Sequence, residues 1–173
     1  MRHIALTHRD DVADAARWAE RFDATTWIHS GDCAAPWATN VFTDESEIQP
    51  GLLAIPTPGH SRGSVVFLLD GRWLFTGDSL AWSHDHGDVT AFRDACWFSW
   101  DVQLDSLERL AAQHRFAVLL PGHGARHFGY ADDLRDRVLR FVACMRAILG
   151  SRNASPETAF VRTAPFIVGS GPR

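Results

Sequence analysis

Three short segments of this chain repeat one local pattern: an apolar run, a glycine turn, then a side chain able to hold a metal. They are Ile55-Pro56-Thr57-Pro58-Gly59-His60, Leu74-Phe75-Thr76-Gly77-Asp78 and Leu119-Leu120-Pro121-Gly122-His123-Gly124. A short apolar run that stops at a glycine reads as a buried strand leaving its sheet, because glycine permits a turn that other residues resist. Residues just past strand ends converge on one edge of an α/β layer, where such folds build their sites. Two imidazoles and a carboxylate gathered there make a mixed nitrogen and oxygen site suited to Zn, Fe or Mn. Each segment alone also reads as a surface turn or a helix cap. The three in series predict one site at the strand ends.

The remaining sequence supplies the elements such a fold needs. Residues 3–6 read as a strand. Asp10 or Asp11 caps a helix reaching Phe22, with Val12, Ala15, Ala16, Ala19 and Phe22 on its inner face. Thr25 to His29 follows as a strand, and the strand–helix–strand order predicts a parallel βαβ unit. Residues 31–50 are expected to be mostly irregular. Leu52 to Ile55, Ser64 to Leu69 and Arg72 to Phe75 read as strands, the last two joined as a hairpin at Asp70-Gly71. Residues 81–100 are rich in tryptophan and give no clear element. A helix from Asp101 buries Leu104, Leu107, Leu110 and Ala111, and Phe116 to Leu120 is a strand. A last helix from Asp132 to Leu149 buries Leu134, Val138, Phe141, Val142, Met145 and Leu149 and stops at Gly150. A short strand is expected around Phe160 and Val161. With no repeat and no linker, residues 1–173 are expected to form a single domain.

Composition narrows the partners. At 173 residues the chain can bury a real core. A net charge of −4, with all 17 basic side chains dispersed arginines, gives no electrostatic case for nucleic acid. No apolar run reaches the ~18 residues a membrane span needs, and the one at the N-terminus is too short for a signal peptide. Cys33, Cys96 and Cys144 lie far apart and read as reduced thiols. The expectation is a soluble cytoplasmic protein with a small-molecule substrate and no nucleic-acid or membrane partner, a homo-oligomer being left open.

Thr57-Pro58-Gly59-His60-Ser61-Arg62-Gly63-Ser64 resembles the T-x-G-H-[ST]-x-G-S signature of the metallo-β-lactamase superfamily. Thr76-Gly77-Asp78 is similar to that family's bridging-aspartate motif, and Pro121-Gly122-His123-Gly124 to its last histidine motif. Order and spacing resemble the glyoxalase-II-like branch, which uses Asp at the bridge, and the likeness runs from Leu6 to about residue 150. It implies an α/β (α+β sandwich) class with an αββα architecture. It also implies that His60 ligates one metal, His123 a second, and that Asp78 bridges them.

The family's first motif, T-H-x-H-x-D-H, is depleted here. Its place reads Leu6-Thr7-His8-Arg9-Asp10-Asp11-Val12-Ala13-Asp14-Ala15: His8 matches, Asp10 stands at the second histidine, and a two-residue slip puts Asp14 at the aspartate. At least two imidazoles are missing. Asp10 and Asp14 read either as hard oxygen ligands and catalytic candidates, tilting preference toward Mn, Fe or Mg, or as residues favouring the helix N-terminus; Asp11 reads as a cap. Counting donors, one or two divalent ions (Zn, Fe or Mn) are expected, only one held tightly. His84-Asp85-His86-Gly87-Asp88 spells a similar H-x-H-x-D, either a solvated loop or a replacement for the lost ligands. Ser61, Trp82 and Arg93 are the substrate-binding candidates, Arg93 for an acidic group, while Trp97 is expected in the core.

In the family the first motif follows several strands, whereas this chain begins one strand before it. The expectation is a domain truncated at the N-terminus, its open sheet edge an aggregation hazard, explained by a late start or by a fragment stabilised through a partner or self-pairing. The resemblance implies metal-dependent hydrolysis of an ester or thioester-like small molecule. The competing readings are a non-catalytic metal- or ligand-binding pseudoenzyme and an iron redox protein.

Overall fold

The computed structural model describes residues 2–10, 12–32 and 37–153, and within them four layers stack as helix, sheet, sheet and helices. Strand β1 (His3–Ala5) leads through a loop to α1 (Ala15–Phe22) and β2 (Thr25–His29), and β3 (Asn40–Phe42) completes a three-stranded sheet ordered β1-β2-β3. Its strands are parallel, with His3 opposite Thr25 and Trp27 opposite Asn40, so the βαβ unit forms as expected. Alternation along each strand decides what it faces. Ile4, Leu6 and Ile28 cluster with Ala15 of α1, while Ala5, Trp27 and Phe42 pack against the second sheet.

That second sheet draws on β4 (Ser46–Gln49), β5 (Leu52–Pro56), β6 (Val65–Leu69), β7 (Trp73–Gly77), β10 (Val118–Pro121) and β11 (His127–Phe128), ordered β11-β10-β7-β6-β5-β4. A small hairpin of β8 (Ala81–Ser83) and β9 (Asp88–Thr90) stands apart. Asp70 and Gly71 both take positive φ, 53° and 60°, which a mirror-image two-residue turn demands. Strands β7 and β10 pair in parallel, and the crossover between them carries α2 (Trp100–Gln113). Ile48, Ala54, Val65 and Phe67 meet the first sheet. The opposite face, with Val66, Leu68, Leu74 and Leu119, packs under α2 and α3 (Ala131–Asn153). Leu104, Leu107 and Leu110 of α2 and Leu134, Val138 and Val142 of α3 are buried there. Each such leucine is worth about 1.5–3 kcal/mol over an exposed one. Among the described residues no helix is long and apolar enough to cross a membrane.

Several expectations change. Helix α1 starts only at Ala15, with Asp14 at its N-cap making no side-chain capping bond, and it ends at Phe22 with Asp23 left-handed at φ 48°. Only Ala15 of its eight residues is buried; Trp18 and Phe22 stack on each other at the surface. Residues 31–50 contain β3 and β4, and the tryptophan-rich stretch contains the β8–β9 hairpin and the start of α2, capped by the Ser99 hydroxyl accepting from Val102 N–H. Helix α3 runs through Gly150 to Asn153, since a glycine in a long helix costs only ~1 kcal/mol against alanine. Trp97 is 66% exposed, not core. Asp11, Cys33 and the strand expected near Phe160 lie outside the described residues.

Candidate metal centre

Four strand ends reach the same edge of the sandwich, each delivering a donor. His8 lies just beyond β1, His60 beyond β5, Asp78 beyond β7 and His123 beyond β10. One oxygen, Asp78 Oδ2, stands 3.6 Å from His8 Nε2, 3.7 Å from His60 Nε2 and 3.8 Å from His123 Nε2. Asp10 Oδ2 lies 3.5 Å from His60 Nε2. These separations are long for hydrogen bonds. They match donors sharing one cation, since tetrahedral ligands at ~2.1 Å from a metal sit about 3.4 Å apart. The donor atoms of His8, His60 and Asp78 all lie within 4.8 Å of one another. His60 Nε2 is buried yet has no hydrogen-bond partner, the condition a ligating nitrogen is in before its cation arrives.

Local structure aims these side chains. Thr7 Oγ1 lies 3.0 Å from His8 Nδ1, leaving Nε2 toward Asp78. Thr7 can approach because residue 77 is glycine: its φ is +50°, and a Cβ there would stand 2.7 Å from Thr7 Oγ1. The Gly77 carbonyl accepts from Gly122 N–H at 2.8 Å, joining the ends of β7 and β10. On the other flank Trp97 N–H donates to the His60 carbonyl at 2.9 Å, and the Cys96 thiol donates to the Gly59 carbonyl at 3.0 Å. Burial grades the donors. His8 and His60 side chains are 5% exposed and Asp78 14%, against 42% for Asp10 and 69% for His123. Burial pushes the His8 imidazole below its ordinary 6.5, outweighing Asp78, which pulls the other way. A neutral ring is the form that ligates.

Not every candidate reaches the cluster. Asp14 is not in the group of His8, His60 and Asp78, and pairs instead with Arg17 at 3.4 Å on the surface of α1. Ser61 is 1% exposed and gives its hydroxyl to Asp32. His84 and His86 lie in the β8–β9 turn and line a cavity of about 1020 Å³ beside Asp78 and His123, without joining the buried donors. Trp82 and Arg93 line the same cavity. Trp82 is held there by His127, stacked on it at 3.6 Å between ring centroids. Asp32 was not singled out in the sequence: an acid in a Ser-Gly-Asp turn carries no local signal, and only the tertiary structure shows it among donors from two loops.

No protein-family profile matches the chain. It is 35% identical over 79 residues to a hydroxyacylglutathione hydrolase of Anaeromyxobacter dehalogenans, an overlap covering 44% of this chain and 31% of that protein. It is 34% identical over 80 residues to a protein of Methanocaldococcus jannaschii described as a probable metallo-hydrolase, covering 43% and 34%. Each match thus spans about a third of the relative's length. Among solved structures, the di-iron-bound form of the protein designated TTHA1623 superposes with a TM-score of 0.55 at 25% identity, covering 79% of this chain and 75% of that one.

Proposed function

This chain has the metallo-β-lactamase fold, and on that premise we propose that it is a metal-dependent hydrolase of an ester or thioester-like small molecule. The observation that carries the reading is His60 Nε2, buried without a partner and facing the oxygens of Asp78 and Asp10. His8, His60, Asp78 and Asp10 would hold the cation. A divalent cation in that position supplies a polarised carbonyl and a water acidified toward neutral pH. Burial of His8 keeps its ring in the ligating, unprotonated form. Two carboxylates and two imidazoles make a harder donor set than the imidazole-rich motif of the family, which favours Fe or Mn over Zn. The di-iron form of the TTHA1623 protein is consistent with that choice.

The substrate would enter the cavity beside Asp78 and His123, which Trp82 and Phe92 also line. Arg93 lines this cavity, and among the described residues its guanidinium has no ion-pair partner, so it is suited to an acidic group on the substrate. The exposed His123 and the lost imidazoles favour the competing reading, a metal-binding chain that does no chemistry.

Elemental analysis of the purified protein, followed by an ester and thioester screen, tests the proposal. About one Fe or Mn per chain is expected, with hydrolysis abolished in His60→Ala together with metal retention. A metal-free protein that takes up neither Fe nor Mn on addition would overturn the metal reading. Full metal with no turnover on any ester or thioester would leave the non-catalytic reading.

A further inference from the structure

Asp32 is not among the clustered side chains, yet its carboxylate holds two of the loops that carry them, those of His8 and His60. It sits on a short helical turn after β2 and is 2% exposed. Its Oδ2 accepts from the backbone N–H of Arg9 at 3.0 Å, the residue between His8 and Asp10. The same oxygen accepts from the hydroxyl of Ser61, the residue after His60. Its Oδ1 accepts from Gly63 N–H at 2.9 Å. Ser61 is fixed in turn, its own N–H donating to the Ser64 hydroxyl at 2.9 Å. The chains here touch backbone to backbone: a Cβ on Gly63 would stand 2.4 Å from Asp32 N, and one on Gly31 2.9 Å from the Arg62 carbonyl.

The two loops belong to different sheets, one leaving β1 and the other joining β5 to β6. Their spacing is therefore set by contacts across the sandwich and by no strand ladder. We infer that Asp32 is a positioning residue for the metal centre, fixing the distance between the His8–Asp10 loop and the His60 loop before any cation binds. A buried carboxylate accepting three hydrogen bonds is a stiff link, because each bond to the charged oxygen is stronger than a neutral one. Donors held at the right separation lose little freedom on binding, whereas free loops must be ordered by the cation itself. The inference rests on the metal reading of the cluster.

The test uses the full chain, Co²⁺ as probe, and the near-isosteric Asp32→Asn, which removes the charge and one acceptor. Wild type is expected to bind Co²⁺ with visible ligand-field bands, and Asp32→Asn to bind about tenfold or more weakly, the range for residues that orient ligands, with displaced bands. Ser61→Ala, which deletes a single donor, is expected to move both readouts less in the same direction, and decides the matter if Asp32→Asn does not fold. Wild-type affinity and band positions in the variant would overturn the inference, even with a lowered melting temperature. If wild type itself binds no Co²⁺, the metal reading fails separately. The His8 and His60 ring resonances of the metal-free protein then decide for Asp32, displacement in the variant supporting it and coincidence with wild type overturning it.

Discussion

On the proposed metal reading, Asp10 is the residue expected to shift the chemistry of the site without abolishing it. It occupies a position where the resembling motif has an imidazole, and its oxygen still lies 3.5 Å from His60 Nε2. A carboxylate binds borderline zinc less well than imidazole does. Asp10→His is therefore expected to tighten zinc roughly tenfold, and Asp10→Ala to weaken every metal by a similar factor, as read by competition with a chelator. On a count of donors we expect one tight ion in the wild type: His123 is 69% exposed and stands outside the group of His8, His60 and Asp78. A zinc titration should show one tight equivalent per chain; two equally tight ones would contradict the count.

At the level of elements, the turns after strands carry as much of the site as the strands do. Gly77 lets β7 end against Thr7, and Gly77→Ala combines a positive φ with a 2.7 Å clash. That substitution is expected to cost about 1–3 kcal/mol and to weaken metal binding, because Asp78 follows it directly. The helices contribute mass and no donors. Leu107→Ala on α2, at 0% exposure, should cost ~2–5 kcal/mol in denaturant titration. Phe128→Ser on β11, 61% exposed, should change stability by less than about 0.5 kcal/mol. Comparable losses at both positions would mean that β11 is covered in solution.

For the molecule as a whole, the buried His8 and the half-buried His127 link stability to pH. Burial lowers His8, and burial with the nearby Arg137 lowers His127, both from an ordinary 6.5. A depressed histidine stays neutral in the folded state while the unfolded chain takes up a proton. Its stabilising share is present above about 6.5 and is lost as pH falls from there through the folded value. The metal-free protein should accordingly weaken on acidification below about pH 6.5, and His127→Asn should flatten the profile. Stability that rose with acid across that window would contradict the assignment. Metal acts the opposite way: at a hundred times its dissociation constant a bound cation adds about 2.7 kcal/mol, visible as a raised melting temperature.

The strands β5, β6, β7 and β10, the βαβ unit, and the convergence of His60 and His123 on Asp78 were all legible in the sequence. The reason is local: apolar alternation and glycine-ended runs report strands and their exits wherever they occur. Helix α2 was legible for the same reason, through the spacing of Leu104, Leu107 and Leu110. The short strands β3, β4, β8, β9 and β11 were not, because two to four residues carry too little periodicity and form only where a neighbouring strand offers hydrogen bonds. Asp10 and Asp14 looked alike in sequence, two acids near the start of one helix. Only the tertiary structure put the first beside His60 and the second on the surface with Arg17. Asp32 carried no signal at all, since its role lies in meeting Arg9, Ser61 and Gly63 across the two sheets. A side chain's own chemistry can be read from the sequence, but the identity of the buried partners that use it is settled by packing.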